Sequence, residues 1–205
     1  GDFISDVMAG ALRMGECNAC MKRIVAAPTA GACGVLPAVL LPLWAREEIT
    51  QKELLEALYV ASGIGAVVAY RASISGAAGG CQAEIGTASA MAAGALTAVR
   101  GGDGAAIGHA VAMALKNLMG LVCDPVAGLV ALPCAQRNAS GAVNAMIAAD
   151  MALAGQVSHI PFDEVVEAMF KVGKMLPPQL RETAKGGIAT TPAGKAIYKE
   201  VFGVE

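Results

Sequence analysis

The longest uncharged segment of the sequence sets the first constraint on the fold. It runs from Ile24 to Ala45, 22 residues without a charge, which is long enough to span a lipid bilayer. Prolines inside a helix remove hydrogen bonds and clash with the preceding turn. The segment is interrupted by such helix-disfavouring residues, namely Pro28, Gly31, Gly34, Pro37 and Pro42. The other uncharged runs mostly have 12 to 15 residues, the length of core helices. We therefore expect no membrane span, and instead an all-helical domain with a fully buried central helix.

The rest of the pattern also favours helices. With 205 residues the chain is long enough for one well-buried domain. Alanine, glycine and valine dominate and aromatic residues make up only 4% of the chain, so helices can approach each other closely. No stretch alternates convincingly with period two, as a half-buried strand would. We predict a compact all-α single domain over residues 1–205, a bundle of about eight or nine helices with glycine-rich active-site loops.

Signals for helix starts and ends divide the chain further. Thr50-Gln-Lys-Glu53 is a capping-box pattern and predicts a helix running to about Tyr70. Asp124-Pro125 and Thr191-Pro192 each place an N-cap residue before a proline, which predicts that helices begin there. Further helices are predicted at residues 3–23, 35–45, 84–99, 105–119, 138–154 and 163–174. The least helical segments are loops at 26–34, 73–81, 123–125 and 185–191, and such loops often carry functional sites.

Three cysteines are candidates for metal ligands: Cys81 in GGCQAEIG, Cys123 in CDPVAG and Cys134 in PCAQRN. Thiolates suit zinc or iron–sulfur centres, and an iron–sulfur cube held by three cysteines leaves one iron open. Structural zinc would favour a fourth ligand and a CxxC pair, which none of the three provides. The predicted helix start after Cys123 would favour an anionic cluster. The alternative is that these cysteines are small buried hydrophobic residues.

The other three cysteines carry weaker signals. Cys17 and Cys20 form a CNAC pair inside a predicted helix with no strand before it, so we interpret them as incidental helix residues. Cys33 lies in a glycine-rich loop without a partner in sequence, and we interpret it as a packing residue. Six cysteines without a secretory signal indicate a reducing cytoplasm.

Two loops could bind an anion through backbone N–H groups. The segment 27–34, APTAGACG, adds the Thr29 hydroxyl, but it lacks the glycine-lysine-serine/threonine ending of a phosphate-binding loop. The segment 73–76, SISG, places small polar groups near Cys81. For both, the alternative is an ordinary tight turn.

Arg137 and Asn138 follow Cys134 by three and four residues, which is the same face of a helix. An arginine there could balance the charge of a cluster or bind a substrate carboxylate, and the alternative is a surface arginine. The two histidines, His109 and His159, lie away from the cysteine motifs, and we do not assign either as a catalytic base. A net charge of −2 without a charged tail gives no indication of nucleic-acid binding.

Four motifs together make the sequence resemble the alpha subunit, or catalytic domain, of bacterial iron–sulfur L-serine dehydratases. They are APTAGACG at 27–34, SISGAAGGCQAEIG at 73–86, CDPVAGLVALPCAQRN at 123–138 and KGGIATTPAGK at 185–195. The resemblance covers essentially the whole chain. Any one motif alone would be weak, whereas the set is specific.

The resemblance implies an all-helical lyase that binds a [4Fe–4S] cluster through Cys81, Cys123 and Cys134. Its open iron would act as a Lewis acid in converting L-serine to pyruvate and ammonia, without pyridoxal phosphate. The resemblance also implies a cytoplasmic role in amino-acid degradation and gluconeogenesis. Donors to the substrate carboxylate would come from the two loops and from the start of the helix after Cys134, namely Thr29, Ala30, Gly31, Ala32, Ser73, Ser75, Gly76, Arg137 and Asn138.

No residue is identified as the base that removes the Cα proton. In the family a partner domain or beta subunit, with a serine-histidine-threonine motif, lies against this one. We expect that partner, an oligomeric assembly, and a chain that is a fragment lacking N-terminal residues, since it starts at Gly1-Asp2 without methionine.

Three alternatives remain at this point. The chain could be a non-catalytic assembly or binding module of the same fold, although it retains all three cysteine motifs. It could be a cluster-dependent dehydratase of another small hydroxy or amino acid. A membrane-embedded helical fragment is the third possibility, and solubility without detergent would exclude it.

Overall fold

The computed structural model describes residues 1–204, and over that range the protein is all-α with no β-strand. The predicted fold class and the number of helices are confirmed. The nine α-helices are α1 (Asp2–Ala19), α2 (Val35–Ala45), α3 (Gln51–Arg71), the one-turn α4 (Gly76–Gly79), α5 (Thr87–Val99), α6 (Gly104–Asn117), α7 (Cys134–Leu153), α8 (Phe162–Met175) and α9 (Pro192–Phe202). Single 3₁₀ turns at 30–32, 126–128, 178–180 and 187–190 and a π-helical turn at 82–86 connect them.

Side-chain caps set several of the helix starts. The capping box at α3 is present as predicted: the Thr50 side chain accepts from the Glu53 N–H, and Glu53 accepts from the Thr50 N–H. Asp103 caps α6 through the Ala106 N–H, and Thr191 caps α9 through the Gly194 N–H. Each cap satisfies backbone donors that the first turn of a helix leaves free.

The buried central helix is α5, which packs against α2, α3, α6 and α7. All eleven residues from Thr87 to Thr97 are buried, and five of them are alanine. Small residues allow the neighbours to approach: a Cβ on Gly94 would overlap the side chains of Ile64 and Val111. The helices are therefore held at short separation by the absence of side-chain bulk, as the composition predicts.

Helices α1 and α2 cover the other side of α7 and α5. On α1, Gly15 faces Ala135 of α7 so closely that a Cβ would lie 2.9 Å from the Ala135 Cα. Most of α2 is buried, and the helix has only 11 residues. The uncharged segment that the sequence offered as a possible membrane span is thus a loop, a 3₁₀ turn and a short core helix.

Predicted helix boundaries are wrong in two places: α1 ends at Ala19 and not at residue 23, and no helix starts at Asp124-Pro125. Asp124-Pro125 does not begin a helix: the chain there is extended, makes one 3₁₀ turn at 126–128, and enters α7 only at Cys134. Asp124 is instead buried, and its carboxylate accepts from Arg137 and from the Ile188 N–H. Those tertiary bonds replace the predicted N-cap. Helix α7 accordingly starts four residues before the predicted start at 138.

Helix α3 is long and apolar enough to cross a membrane by length and composition, a test that core helices of soluble proteins also pass. Only 28% of its most apolar 18-residue window is buried, and Leu55, Tyr59 and Tyr70 are exposed. The expectation that the chain does not enter a membrane stays a prediction.

Candidate metal centre

The three candidate ligands come from three different segments. Cys81 follows Gly80, whose φ of 77° is in the left-handed region, and leads into the π-helical turn. Cys123 lies in an extended segment whose N–H donates to the Leu180 carbonyl and whose carbonyl accepts from the Glu182 N–H. Cys134 is the first residue of α7. All three cysteines are buried.

The fold brings these cysteines to one place. The Sγ atoms of Cys81 and Cys123 and a carboxylate oxygen of Glu84 all lie within 4.8 Å of one another. A cavity of about 170 Å³ is lined by Cys123, Cys134 and Glu84, and also by Ala30, Gly31 and Glu182. Two soft thiols and a carboxylate around one point, with a third thiol on the same cavity, form a donor set suited to a metal.

Two glycines bring the backbone close to the Glu84 carboxylate and the Cys123 thiol. A Cβ on Gly76 would lie 2.7 Å from a Glu84 carboxylate oxygen and 3.2 Å from the Cys123 Sγ. A Cβ on Gly31 would lie 3.3 Å from the other Glu84 oxygen. Glycine at these two positions therefore keeps open the space around the carboxylate and the thiol.

Arg137 is fixed beside the thiols. Its guanidinium donates to the Val122 carbonyl at 2.8 Å and to Asp124 at 2.9 Å. The other oxygen of Asp124 accepts from the Ile188 N–H at 2.9 Å, so the carboxylate ties α7 to the segment 185–191. Arg137 is the positive charge that accompanies the cysteines, and it is not the surface arginine of the alternative interpretation.

Asn138 holds the loop 26–34 against α7. Its carbonyl oxygen accepts from the Gly34 N–H at 2.8 Å, and its amide donates to the carbonyls of Gly31 and Cys134, both at 2.8 Å. The side chain is buried. The structure therefore gives Asn138 a positioning contact with the predicted anion-binding loop, and its amide is engaged in these bonds.

The pKa values of the three thiols are shifted in different directions. A hydrogen bond with Cys123 and the charge of Arg137 lower the pKa of the Cys81 thiol, despite its burial. The same hydrogen bond, burial and the negative charge of Cys81 raise the pKa of Cys123. Burial, with nearby Cys81 and Glu84, raises the pKa of Cys134 to about 12. Cys81 is thus the thiol best prepared to act as a thiolate ligand.

The predicted anion-binding residues fall in different places. Ala30 and Gly31 line the cavity, and the Thr29 hydroxyl donates to Glu84 at 2.8 Å. Ala32 is fully buried below them. Of the second loop, Gly76 lies against Cys123, whereas Ser75 is exposed and Ser73 lines a separate cavity beside α8.

The remaining predicted residues lie outside the cavity lining. Cys17 and Cys20 are at the C-terminal end of α1, and Cys33 is buried with its thiol directed at the Met14 carbonyl. His109 is on α6, and His159 is exposed in the loop before α8.

The sequence analysis did not identify four residues that form or support this site. Glu84 stands three residues after Cys81, a spacing that could have indicated a shared helical face. Gln82 is buried and fastens the π-helical turn to α8 and to Gly120. Asp124 gave a cap signal instead. Glu182, whose φ of 63° is left-handed, has no local signal at all.

Comparison with known proteins identifies the chain's relatives. A family model described as "Serine dehydratase alpha chain" matches residues 1–189. The chain is 52% identical to the "Probable L-serine dehydratase, alpha chain" of Bacillus subtilis, over 99% of this chain and 68% of that protein. It is 49% identical to the protein of the same name from Latilactobacillus sakei, over 98% and 97% of the two chains.

A third relative is longer. "L-serine dehydratase 2" of Escherichia coli is 44% identical over 87% of this chain, a match that covers 40% of the Escherichia coli protein. The motifs at 27–34, 73–86 and 123–138 lie within the 1–189 match, and the cavity residues described above belong to those motifs or to the segment 180–189. The chain therefore belongs to the serine dehydratase alpha chain family.

Proposed function

We propose that this protein is the catalytic chain of an iron–sulfur L-serine ammonia-lyase, which converts L-serine to pyruvate and ammonia. The observation that carries the proposal is the clustering of three buried thiols: Cys81 and Cys123 lie together beside Glu84, and Cys123, Cys134 and Glu84 line one small cavity. The relatives named above are L-serine dehydratases, which supplies the reaction and the substrate.

The residues fit a [4Fe–4S] cluster on several counts. The donors are three thiols from separate segments, the chemistry that iron–sulfur clusters require. Gly76 and Gly31 leave space that a Cβ would fill, so backbone can approach inorganic sulfide. Arg137 supplies positive charge for an anionic cluster whose thiolate ligands would otherwise repel one another.

When bound, such a cluster supplies a Lewis-acidic iron that can polarise the hydroxyl and carboxylate of serine. The protein's own contribution is to position the substrate and exclude water. Loop 26–34 brings the backbone of Ala30 and Gly31 to the cavity, and Asn138 fixes that loop. We assign the loop residues Thr29, Ala30 and Gly31, together with Gly76, to binding of the substrate carboxylate, with Arg137 as the positive charge held beside Cys81.

The base that removes the Cα proton is expected from a partner. The names of two relatives include "alpha chain", which supports a beta subunit that completes the site. The Escherichia coli relative is more than twice as long, so an equivalent part could be joined to it in one chain. We further propose a cytoplasmic, oligomeric enzyme of amino-acid degradation and gluconeogenesis that uses no pyridoxal phosphate.

Anaerobic reconstitution tests the proposal. The purified chain is treated with iron and sulfide, the visible spectrum and iron content are measured, and L-serine is added. About four irons per chain and a spectral change with L-serine are expected. D-serine is the matched control.

A folded chain that takes up no iron, with and without a beta subunit, would favour the alternative of a helical assembly module. A cluster that responds to another hydroxy or amino acid and not to L-serine would redirect the substrate assignment.

A further inference from the structure

Glu84 is the one acidic side chain that the described donor group contains, and neither the predicted ligand set nor the predicted substrate contacts include it. One of its carboxylate oxygens lies within 4.8 Å of the Sγ atoms of both Cys81 and Cys123. The side chain also lines the cavity that Cys134 reaches. Glu84 is therefore close to two of the thiols and shares a cavity with the third.

This carboxylate is held in place by contacts on both oxygens. The Thr29 hydroxyl donates to Oε1 at 2.8 Å, which fixes the rotamer from the side of loop 26–34. Gly76 approaches Oε2 and Gly31 approaches both oxygens so closely that a Cβ at either position would crowd the carboxylate. A side chain that needs two glycines and a hydroxyl donor around it has a defined location, unlike a solvated surface glutamate.

Three cysteines leave one corner of a four-iron cluster without a thiolate. Iron accepts carboxylate oxygen as well as thiolate sulfur, so a fixed carboxylate next to the three thiols is competent to fill that position. Burial of a carboxylate without a cation partner is unfavourable, and coordination to iron would offset that cost.

We propose that Glu84 binds the iron that no cysteine holds and that L-serine displaces it. This inference rests on the proposed function. The step is a ligand exchange: one iron–oxygen bond to the Glu84 carboxylate breaks and one to the substrate carboxylate forms, with no electron transferred. Thr29 retains the released carboxylate beside the site. Thr29 belongs to loop 26–34, which we assign to substrate binding. That loop therefore contacts Glu84 before the exchange and the substrate after it.

The test uses the whole chain labelled with carboxyl-¹³C glutamate, reconstituted anaerobically and reduced with dithionite to a paramagnetic cluster. Electron–nuclear double resonance then measures the ¹³C hyperfine coupling of a carboxylate bound to the cluster. Wild type is compared with Glu84→Gln and with the matched control Glu182→Gln, which removes an exposed carboxylate from the same cavity lining. Iron content is measured in every sample, so the comparison does not depend on turnover.

A ¹³C coupling is expected in wild type and in Glu182→Gln, with its loss in Glu84→Gln and in wild type after addition of L-serine. A cluster-bearing wild type without the coupling, or a coupling that survives Glu84→Gln, overturns this inference and leaves the proposed function standing. Loss of the coupling in Glu182→Gln alone assigns the ligand to Glu182 and also overturns it. A wild type that takes up no iron overturns the proposed function, and the inference with it.

Discussion

The chain contains two sets of three cysteines that differ in how the fold treats them. Cys81, Cys123 and Cys134 are far apart in sequence, yet the fold places Cys81 next to Cys123 and places Cys123 and Cys134 on one cavity. Cys17, Cys20 and Cys33 are close in sequence and do not line it. Proximity in sequence is therefore a poor guide to a site here, and a glycine-rich setting is not sufficient either, since Cys33 has one and lies outside the cavity lining.

The physical reason is the kind of segment that carries each set. Cys17 and Cys20 lie on the last turns of a regular helix, where backbone donors are already used within the helix. The converging cysteines stand where regular structure begins or is interrupted, at a left-handed glycine, at an extended segment and at a helix N-terminus. At those places the chain leaves regular structure, so residues from distant parts of the sequence can meet around one group.

The largest expected effect is the loss of the cluster on removal of one converging thiol. Cys81→Ala, Cys123→Ala or Cys134→Ala should each abolish cluster incorporation, since each removes one of three ligands. Iron and sulfide content after anaerobic reconstitution is the measurement. Full loading in any one of the three variants would remove that residue from the ligand set.

The other set provides the matched controls. Cys17→Ala and Cys20→Ala should load iron like wild type, because neither thiol lines the cavity. Circular dichroism of all five variants checks that the helical fold is retained. Loss of iron in a Cys17 or Cys20 variant would contradict the distinction between the two sets.

A smaller effect is expected at Arg137, whose buried ion pair with Asp124 is compared with the more exposed pair of Arg100 and Asp150. Arg137→Ala leaves Asp124 buried and unpaired, and this should destabilise the fold by roughly 3 kcal/mol and weaken cluster loading or serine binding. Arg100→Ala breaks a more exposed pair with Asp150 and should cost about 1 kcal/mol or less. Urea unfolding of the cluster-free proteins measures both. Equal effects would mean that burial of the pair does not matter.

Asn138→Ala removes the hydrogen-bond acceptor of the buried Gly34 N–H, and it also removes the donor to the Gly31 carbonyl of the loop and to the Cys134 carbonyl of α7. A loss of about 2 kcal/mol is expected from the unsatisfied donor. Hydrogen exchange at Gly34 should accelerate more than the global unfolding rate explains. Unchanged exchange at Gly34 would show that the loop does not depend on α7.

The smallest effect is a pH dependence at Glu84 in the cluster-free chain. Burial raises the pKa of the Glu84 carboxyl above its ordinary value of 4.5, so between 4.5 and the higher folded pKa the folded state binds more protons than the unfolded state. Stability contributed by the protonated form is present below pH 4.5 and falls as pH rises through the folded pKa. Glu84→Gln should therefore stabilise the cluster-free chain relative to wild type at pH 7 to 8 and little at pH 4.

The matched control for that pH dependence is Glu53→Gln, because the cap hydrogen bonds lower the pKa of Glu53. Its stabilising contribution is present above the ordinary pKa and is lost on acidification, the opposite direction. Thermal melts across pH distinguish the two. A Glu84→Gln difference that does not grow with pH would argue against a buried, protonated carboxyl.

Most of the helices followed from local signals, and the error at Asp124-Pro125 shows where such signals fail. Asp and Pro at that spacing are an N-cap pattern, but the Asp124 carboxylate finds Arg137 and the Ile188 N–H, which lie 13 and 64 residues away. A bond to a distant residue overrides a local cap and leaves the chain extended. No pattern within a short window contains that information.

The site, like the helices, was predictable where local motifs mark it and not where distant residues meet. The three cysteines stood in recognisable motifs, whereas Glu84 and Glu182 join the cavity through tertiary packing. Glu84 depends on the π-helical turn at 82–86, which no simple periodicity predicts. Ser73 and Ser75 show the converse, because their motif is adjacent to Cys81 yet neither residue lines the cavity with the thiols.

The bonds that hold the three cysteine-bearing segments are independent of any bound group. Gln82 donates its N–H to the Leu121 carbonyl, Cys123 pairs with the segment 180–182, and Asn138 secures the loop above Cys134. Every one of these is a bond between protein groups, so the pocket can be complete before inorganic iron arrives. For the iron–sulfur cluster proposed above, this predicts that a chain whose cluster has been lost to oxidation keeps an intact binding pocket, and that supplying iron and sulfide anew restores the cluster without new synthesis of the polypeptide.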